Sequence, residues 1–252
     1  MKKVFTSNLT VNELLLTRQA GLEPLRQVMG SSIYHVGWQD RRLPTYDAVG
    51  EVEVVSRALN HARHLALQRL SEEARRAGAR AVVGLHVNRR IYDAAADLIE
   101  FTAVGTAVRY RGGNPIGRPT LTTLSGQDFW TLTQAGYWPV GVVAASTMCY
   151  AATGWQKPGA GSWWRGRANR EVRVFSDGLN RAAHIVVKAL HDQAAHGGAS
   201  GIVGMEIERE AEEKEEEETY MLFTVHAIGT AIVRSAKRVA VPPVSSTVSL
   251  TT

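Results

Sequence analysis

The chain repeats itself. The stretch from Ser56 to Val87, which opens S-R-A-L-N-H-A-R-H-L and ends A-R-A-V-V-G-L-H-V, returns 120 residues later from Ser176 to Ile207, opening S-D-G-L-N-R-A-A-H-I and ending A-S-G-I-V-G-M-E-I. Upstream, Q-A-G-L-E-P from Gln19 to Pro24 returns as Q-A-G-Y-W-P from Gln134 to Pro139. Downstream, A-V-G-T-A-V from Ala103 returns as A-I-G-T-A-I from Ala227. Self-similarity at this spacing predicts two copies of one small unit rather than one large core. It also sets a test for chemistry, because a catalytic or metal-binding set that the unit itself needs is kept in both copies.

With 252 residues, the chain has room for two domains of about 110 residues each. A composition of 44% hydrophobic and 21% charged residues is that of a globular protein. The longest apolar stretch, Val140 to Ala152, is interrupted by Ser146 and Thr147 and falls short of the roughly 18 residues of a membrane span. The opening M-K-K-V-F-T-S-N-L-T has neither the apolar core nor the small-residue cleavage site of a secretory leader. One cysteine, Cys149, allows no internal disulfide, which suits a reducing cytoplasm.

The net charge of +5 is unevenly spread. Residues 1–115 hold 16 Lys and Arg against 11 Asp and Glu, while the remainder holds 13 of each. Within that remainder, Glu206 to Glu218 concentrates nine Glu against Arg209 and Lys214. A basic chain invites a nucleic-acid reading. The arginines here are scattered, without a run or an interleaved aromatic platform, so nucleic acid is not expected as a partner.

The order of elements is legible in both copies. Thr10 and Glu13 have the spacing of a capping box before V-N-E-L-L-L-T-R-Q-A-G, and S-G-Q-D from Ser125 stands before F-W-T-L-T-Q-A-G. Gly21 and Gly136 end these short helices, with Pro24 and Pro139 beyond. Strands are predicted from Leu25 to Tyr34 and from Val140 to Tyr150. A long helix follows, with Val52, Val55, Leu59, Ala62, Ala66 and Leu70 on one stripe, matched by Val172, Phe175, Leu179, Ala182, Val186 and Leu190. The runs from Glu51 and Glu171 also alternate like strands, leaving each helix start open by a turn. Gly78 and Gly198 close the helices. Ala81 to Arg89 pairs with Leu98 to Tyr110, and Gly201 to Arg209 with Tyr220 to Arg234. The expectation is an α+β chain of two tandem β-α-β-β domains, each with an extra N-terminal helix, over 1–110 and 123–234. Residues 111–122 read as a linker and 235–252 as a disordered tail.

At A-R-A-V-V-G-L-H-V and F-T-A-V-G-T-A-V, preceded by the Ala-rich helix, the chain resembles the YbjQ-like family, whose members are described as a "putative heavy-metal-binding domain". The likeness covers roughly Gln27 to Arg109 and Val142 to Arg234. It implies a dodecin-like β-α-β-β unit and assembly into pentamers. The residues point to assembly independently: three strands and one long helix leave sheet edges and a sheet face uncovered, and closed homo-oligomers bury such surfaces.

Few polar sets pass the two-copy test. His61 and His64 lie one turn apart and could share a metal ion, but the second copy has Arg181 and His184 instead. What recurs is Asn60 with His64 and Asn180 with His184, a hydrogen-bonded polar pair at a helix or subunit contact, unless symmetry gathers the histidines around an axis. Cys149 has no partner motif and reads as a small buried hydrophobe. The G-G-N-P-I-G run lacks the Lys and Ser/Thr of a phosphate loop. Trp38, Trp155, Trp163 and Trp164 fall in loops and are candidates for partner contact. The acidic run lacks calcium-loop geometry. Its distal part, with Glu212, Glu213, Glu215, Glu216, Glu217 and Glu218, is expected to project into water and offer a surface for a basic partner, while Glu206 and Glu208 face outward along the strand.

The sequence therefore suggests a cytoplasmic, non-enzymatic protein that assembles with itself as a scaffold, with no cofactor and a fivefold ring favoured by the resemblance. The alternative is a metal- or small-ligand-binding protein whose sites form between subunits.

Overall fold

The computed structural model describes residues 6–35, 49–92, 98–110, 117–152, 172–215 and 219–234. Its first helix, α1 (Val11–Gln19), starts at the capping box: the Glu13 amide donates to Thr10 Oγ1 at 3.3 Å and the Thr10 amide donates to Glu13 Oε2 at 2.6 Å. The helix α3 (Gly126–Gln134) repeats the start with Ser125, whose hydroxyl accepts from the Asp128 amide at 3.1 Å. Gly21 and Gly136 turn the chain out of these helices at φ 78° and 80°, a left-handed conformation that a side chain would strain.

Two four-stranded sheets follow. In the first, β1 (Leu22–His35) pairs with β4 (Leu98–Tyr110), which pairs with β3 (Ala81–Tyr92), all antiparallel. In the second, β6 (Tyr137–Ala152) pairs with β8 (Thr219–Arg234), which pairs with β7 (Gly201–Glu215). Each outer hairpin strand carries a bulge after a repeated glycine. Gly84 and Gly204 sit at φ 60° and 56°, where the register of β3 and of β7 slips.

Two short strands each extend one edge of a sheet, leaving β1 and β7 as the opposite edges. The strand β2 (Val49–Glu51), from the first half, pairs antiparallel with residues 149–151 of β6. The strand β5 (Thr120–Leu121), inside the stretch expected to be a linker, pairs parallel with Ala81 and Val82 of β3. The halves are thus stitched together through backbone hydrogen bonds.

The apolar stripes do what their period requires. The helix α2 (Glu53–Arg76) buries Val55, Leu59, Ala62, Ala66 and Leu70 against Val28, Val82, Phe101, Ala103 and Ala107. Each fully buried leucine contributes about 1.5–3 kcal/mol. The helix α4 (Arg173–His196) buries Ala182, Val186 and Leu190 against Val143, Ala145, Cys149, Phe223 and Val225. Val52 and Val172 are the N-cap residues, because each helix starts one residue later; Val52 still packs half-buried against the core, whereas Val172 is exposed. On the opposite face of the first sheet, Leu22, Ala81, Val83 and Val108 pack with Leu124 and Phe129.

The closest approach in the first half is at Gly30, where α2 lies directly on β1. A Cβ there would overlap the carbonyl oxygen of Ala66 and the backbone nitrogen of Leu70. Helix backbone cannot yield without losing the stripe below it, so Gly30→Ala is expected to cost about 1–3 kcal/mol, read as a lowered thermal midpoint. The repeat partner of Gly30, Ala145, already carries a methyl group and marks how differently the second helix sits.

Candidate functional site

The site begins with an unfilled strand edge. Beyond residue 149, β2 has ended, and on the side away from β8 the strand β6 presents the backbone groups of Met148, Ser146 and Ala144 with no strand beside them. Buried backbone groups left unpaired would cost about 1–3 kcal/mol each. Side chains of α2 take the place of the strand. The Val52 amide donates to Met148 O at 2.8 Å, and the Met148 amide donates to Ser56 Oγ at 3.0 Å. One turn on, Asn60 Nδ2 donates to Ser146 O at 2.7 Å while Asn60 Oδ1 accepts from the Ser146 amide at 3.0 Å. The last rung is shared: Arg63 Nη2 donates to Ala144 O at 2.9 Å, and Gln193 of α4 both accepts from the Ala144 amide at 3.1 Å and donates to its oxygen at 3.0 Å. Residues four, four and three apart on a helix line one face, so a single face of α2 runs along the strand.

Arg63 anchors a buried polar cluster. It is 7% exposed, and it donates to Ser146 Oγ and to Asn60 Oδ1. Burial pulls its guanidinium down to about 10, so it stays charged at neutral pH. Ser146 Oγ also meets His226 Nδ1 at 2.7 Å. Burial first, then the charges of Arg89 and Arg63, hold the His226 imidazole down at about 3, so it is neutral. Its Nε2 has no hydrogen-bond partner, and Phe101 lies edge-on with ring centres 6.1 Å apart. A small space beside it, about 40 Å³, is lined by Arg63, Arg89, Glu206, Glu208 and His226 among others. Next to this cluster, an open cleft of about 450 Å³ runs between α2, β6 and α4. A second cleft, of about 670 Å³, continues towards Arg118 and shares His64, Leu67 and Val142 with the first.

The histidines named by the sequence do not converge. His61 packs edge-on against Tyr34 with ring centres 5.5 Å apart, His64 lines the two clefts, and His184 lies exposed on α4. Among the described residues, no three His, Cys, Asp or Glu side chains gather to hold a metal ion. Cys149 is fully buried, and burial first, with Glu51 nearby, pushes its thiol up to about 11, far from a reactive thiolate.

The acidic run is partly corrected. β7 extends through Glu215, six residues beyond the expected end at Arg209, paired in register with β8 up to Glu215 opposite Thr219. Glu206 and Glu208 are exposed, as expected, and also border the small space beside His226, while Glu210 forms an ion pair with Arg89 of the first half. Glu212 and Glu213 are exposed. Glu216, Glu217, Glu218, Trp38, Trp155, Trp163 and Trp164 lie outside the described residues, as does the whole tail from 235.

Sequence reasoning singled out Asn60 because it recurs, but paired it with His64. Its hydrogen bonds go to β6, and its neighbours there, Ser56, Arg63, Ser146, Gln193 and His226, were missed. Ser56 and Asn60 both have repeat partners, Ser176 and Asn180, and that retention was the available signal.

Among the described residues, no helix is long and apolar enough to cross a membrane. A family model described as "Putative heavy-metal-binding", the YbjQ-like model, matches residues 25–111, from the beginning of β1 to just past the end of β4. The chain is also similar to the encapsulin nanocompartment protein Rv1762c of Mycobacterium tuberculosis, with 35% identity over 211 residues that cover 81% of this chain and 78% of that protein. Likeness at that level over most of both chains is shared descent with a shared fold, and the chain belongs to the same family as this mycobacterial protein, with a YbjQ-like unit at residues 25–111.

Proposed function

We propose that this is a non-enzymatic, self-assembling structural protein, two YbjQ-like units long, that builds a ring of five chains in the cytoplasm. The observation that carries the reading is the α2–β6 joint. One half of the chain completes the sheet edge of the other with backbone-directed side chains, and β1 offers the next edge. A unit that satisfies its edge only through a neighbour is built for assembly. The mycobacterial relative, a protein of an encapsulin nanocompartment by name, supports an assembly role. The exposed carboxylates Glu212 and Glu213, continued in sequence by Glu215 to Glu218, form an acidic fringe suited to a basic partner, screened over about 8–10 Å near physiological salt.

Native mass spectrometry at micromolar concentration is expected to show a species of five chains. A lone monomer of 27.5 kDa would overturn the reading. Elemental analysis of the same sample is expected to find no stoichiometric transition metal. One zinc, copper or nickel per chain, lost in His64→Ala or His184→Ala, would instead establish metal sites formed between subunits.

A further inference from the structure

The joint inside the chain uses a donor surface and an acceptor edge, and each has a repeat partner left open. The donor residues Val52, Ser56 and Asn60 of α2 are repeated as Val172, Ser176 and Asn180 of α4. Val172 is 49% exposed and Asn180 is exposed, although their equivalents are engaged against β6. The acceptor residues Ala144, Ser146 and Met148 of β6 match Met29, Ser31 and Ile33 of β1 at a constant offset of 115. Where Ala144 and Met148 are 8% and 7% exposed, Met29 and Ile33 are 55% and 62% exposed. Exposed large apolar side chains on a strand edge mark a surface that associates. The edge of β1 is also only partly served by its own half. Glu73 accepts from the Met29 amide at 2.8 Å, as Gln193 does from Ala144, and Arg69 donates to Ser31 O.

We infer that α4 of one chain docks on the β1 edge of a second copy, placing Val172 and Ser176 against Ile33 and Asn180 against Ser31. This rests on the self-assembly reading and deepens it. The alternative of like halves meeting like is closed to α4, because the β6 edge is already occupied by α2 of its own chain. The halves therefore alternate, first to second within a chain and second to first between chains, so one axis passes through a single mixed ring rather than two stacked ones. Such a contact is head-to-tail, and repeating it closes a ring when the rotation allows. One rung does not carry over: Arg63 is replaced by Ala183, and the place of His226 is taken by Thr102 of β4. The contact between chains therefore lacks the buried guanidinium and is the weaker of the two joints.

The test places Cys at Ile33 and at Ser176, singly and together, in the full chain, and treats each protein with a short bis-maleimide. Cys149, fully buried, does not compete. The double variant is expected to give a ladder of covalent multimers on a denaturing gel, and each single variant only monomer. Asn180→Arg is expected to weaken association at least tenfold in a dilution series while leaving the thermal midpoint of the dissociated chain unchanged. Cross-linking by a single variant would show like halves meeting and overturn the docking. So would a wild-type oligomer whose double variant does not cross-link, and in that case self-assembly itself stands. A wild-type monomer at micromolar concentration would overturn both.

Discussion

Asn60→Leu is expected to lower the stability of the chain by about 3–5 kcal/mol. Leucine fills nearly the same volume, so packing changes little. What is lost is the two-way contact with Ser146, in which one amide both donates at 2.7 Å and accepts at 3.0 Å, together with the acceptor for Arg63 at 2.6 Å. Ser146 is 3% exposed, and its N–H and C=O are left with no water to turn to. Each such orphan costs about 1–3 kcal/mol, and one bond to a buried guanidinium adds to the sum. Thermal unfolding is the readout, with a fall of about 6–20 °C expected for a chain of this size. Asn60→Asp keeps the acceptor but removes the donor, and should recover part of the loss. The matching change on the other helix, Asn180→Leu, should leave the stability of the dissociated chain within about 0.5 kcal/mol of wild type, as exposed sites do. Equal effects at the two asparagines would mean that the α2–β6 ladder contributes nothing specific.

Local signals explain why so much of the fold was legible. The capping box at Thr10, the left-handed glycines at 21 and 136, and the apolar stripe from Val55 to Leu70 each act within a few residues. What was not legible is long-range. Nothing in V-G-E at Val49 says that it will pair with Ala151, 102 residues away, and Thr120–Leu121 sits in linker composition yet extends the first sheet. The bulge at Gly84 is written in the repeated V-V-G and I-V-G, but only pairing with β4 and β8 turns it into a register shift. The two-copy test set aside His61, which the second copy replaces with Arg181, and Cys149, whose place in the first copy is taken by Tyr34. It was misleading for Arg63 and His226. They act where unlike halves meet, so each occurs in one copy only, and a rule that demanded both copies passed over them.

Acid should loosen the contact between the halves, and His226 supplies the sign. Its imidazole is held at about 3 in the folded chain against an ordinary 6.5, by burial first and then by Arg89 and Arg63. Above pH 6.5 neither state binds the proton and the contribution is fully present. Between pH 6.5 and about 3 the unfolded chain binds a proton that the folded chain excludes, so stability falls as pH falls, by about 1.4 kcal/mol per unit. By pH 4 the loss reaches about 3 kcal/mol. The groups facing His226 set the competition: Ser146 holds its Nδ1, Arg63 and Arg89 oppose a second positive charge, and Glu206 and Glu208 line the same space. His226→Gln retains an amide able to reach Ser146 Oγ and cannot titrate. Urea unfolding at pH 7, 6, 5 and 4 is expected to show the wild type losing about one proton's worth of slope more than the variant. Parallel slopes would remove His226 from the account. Because Thr102 holds the corresponding place on β1's partner strand, the contact between chains has no such group. Acid therefore acts on the joint within each chain, and separation of the halves rather than simple dissociation of intact chains is the expected first step.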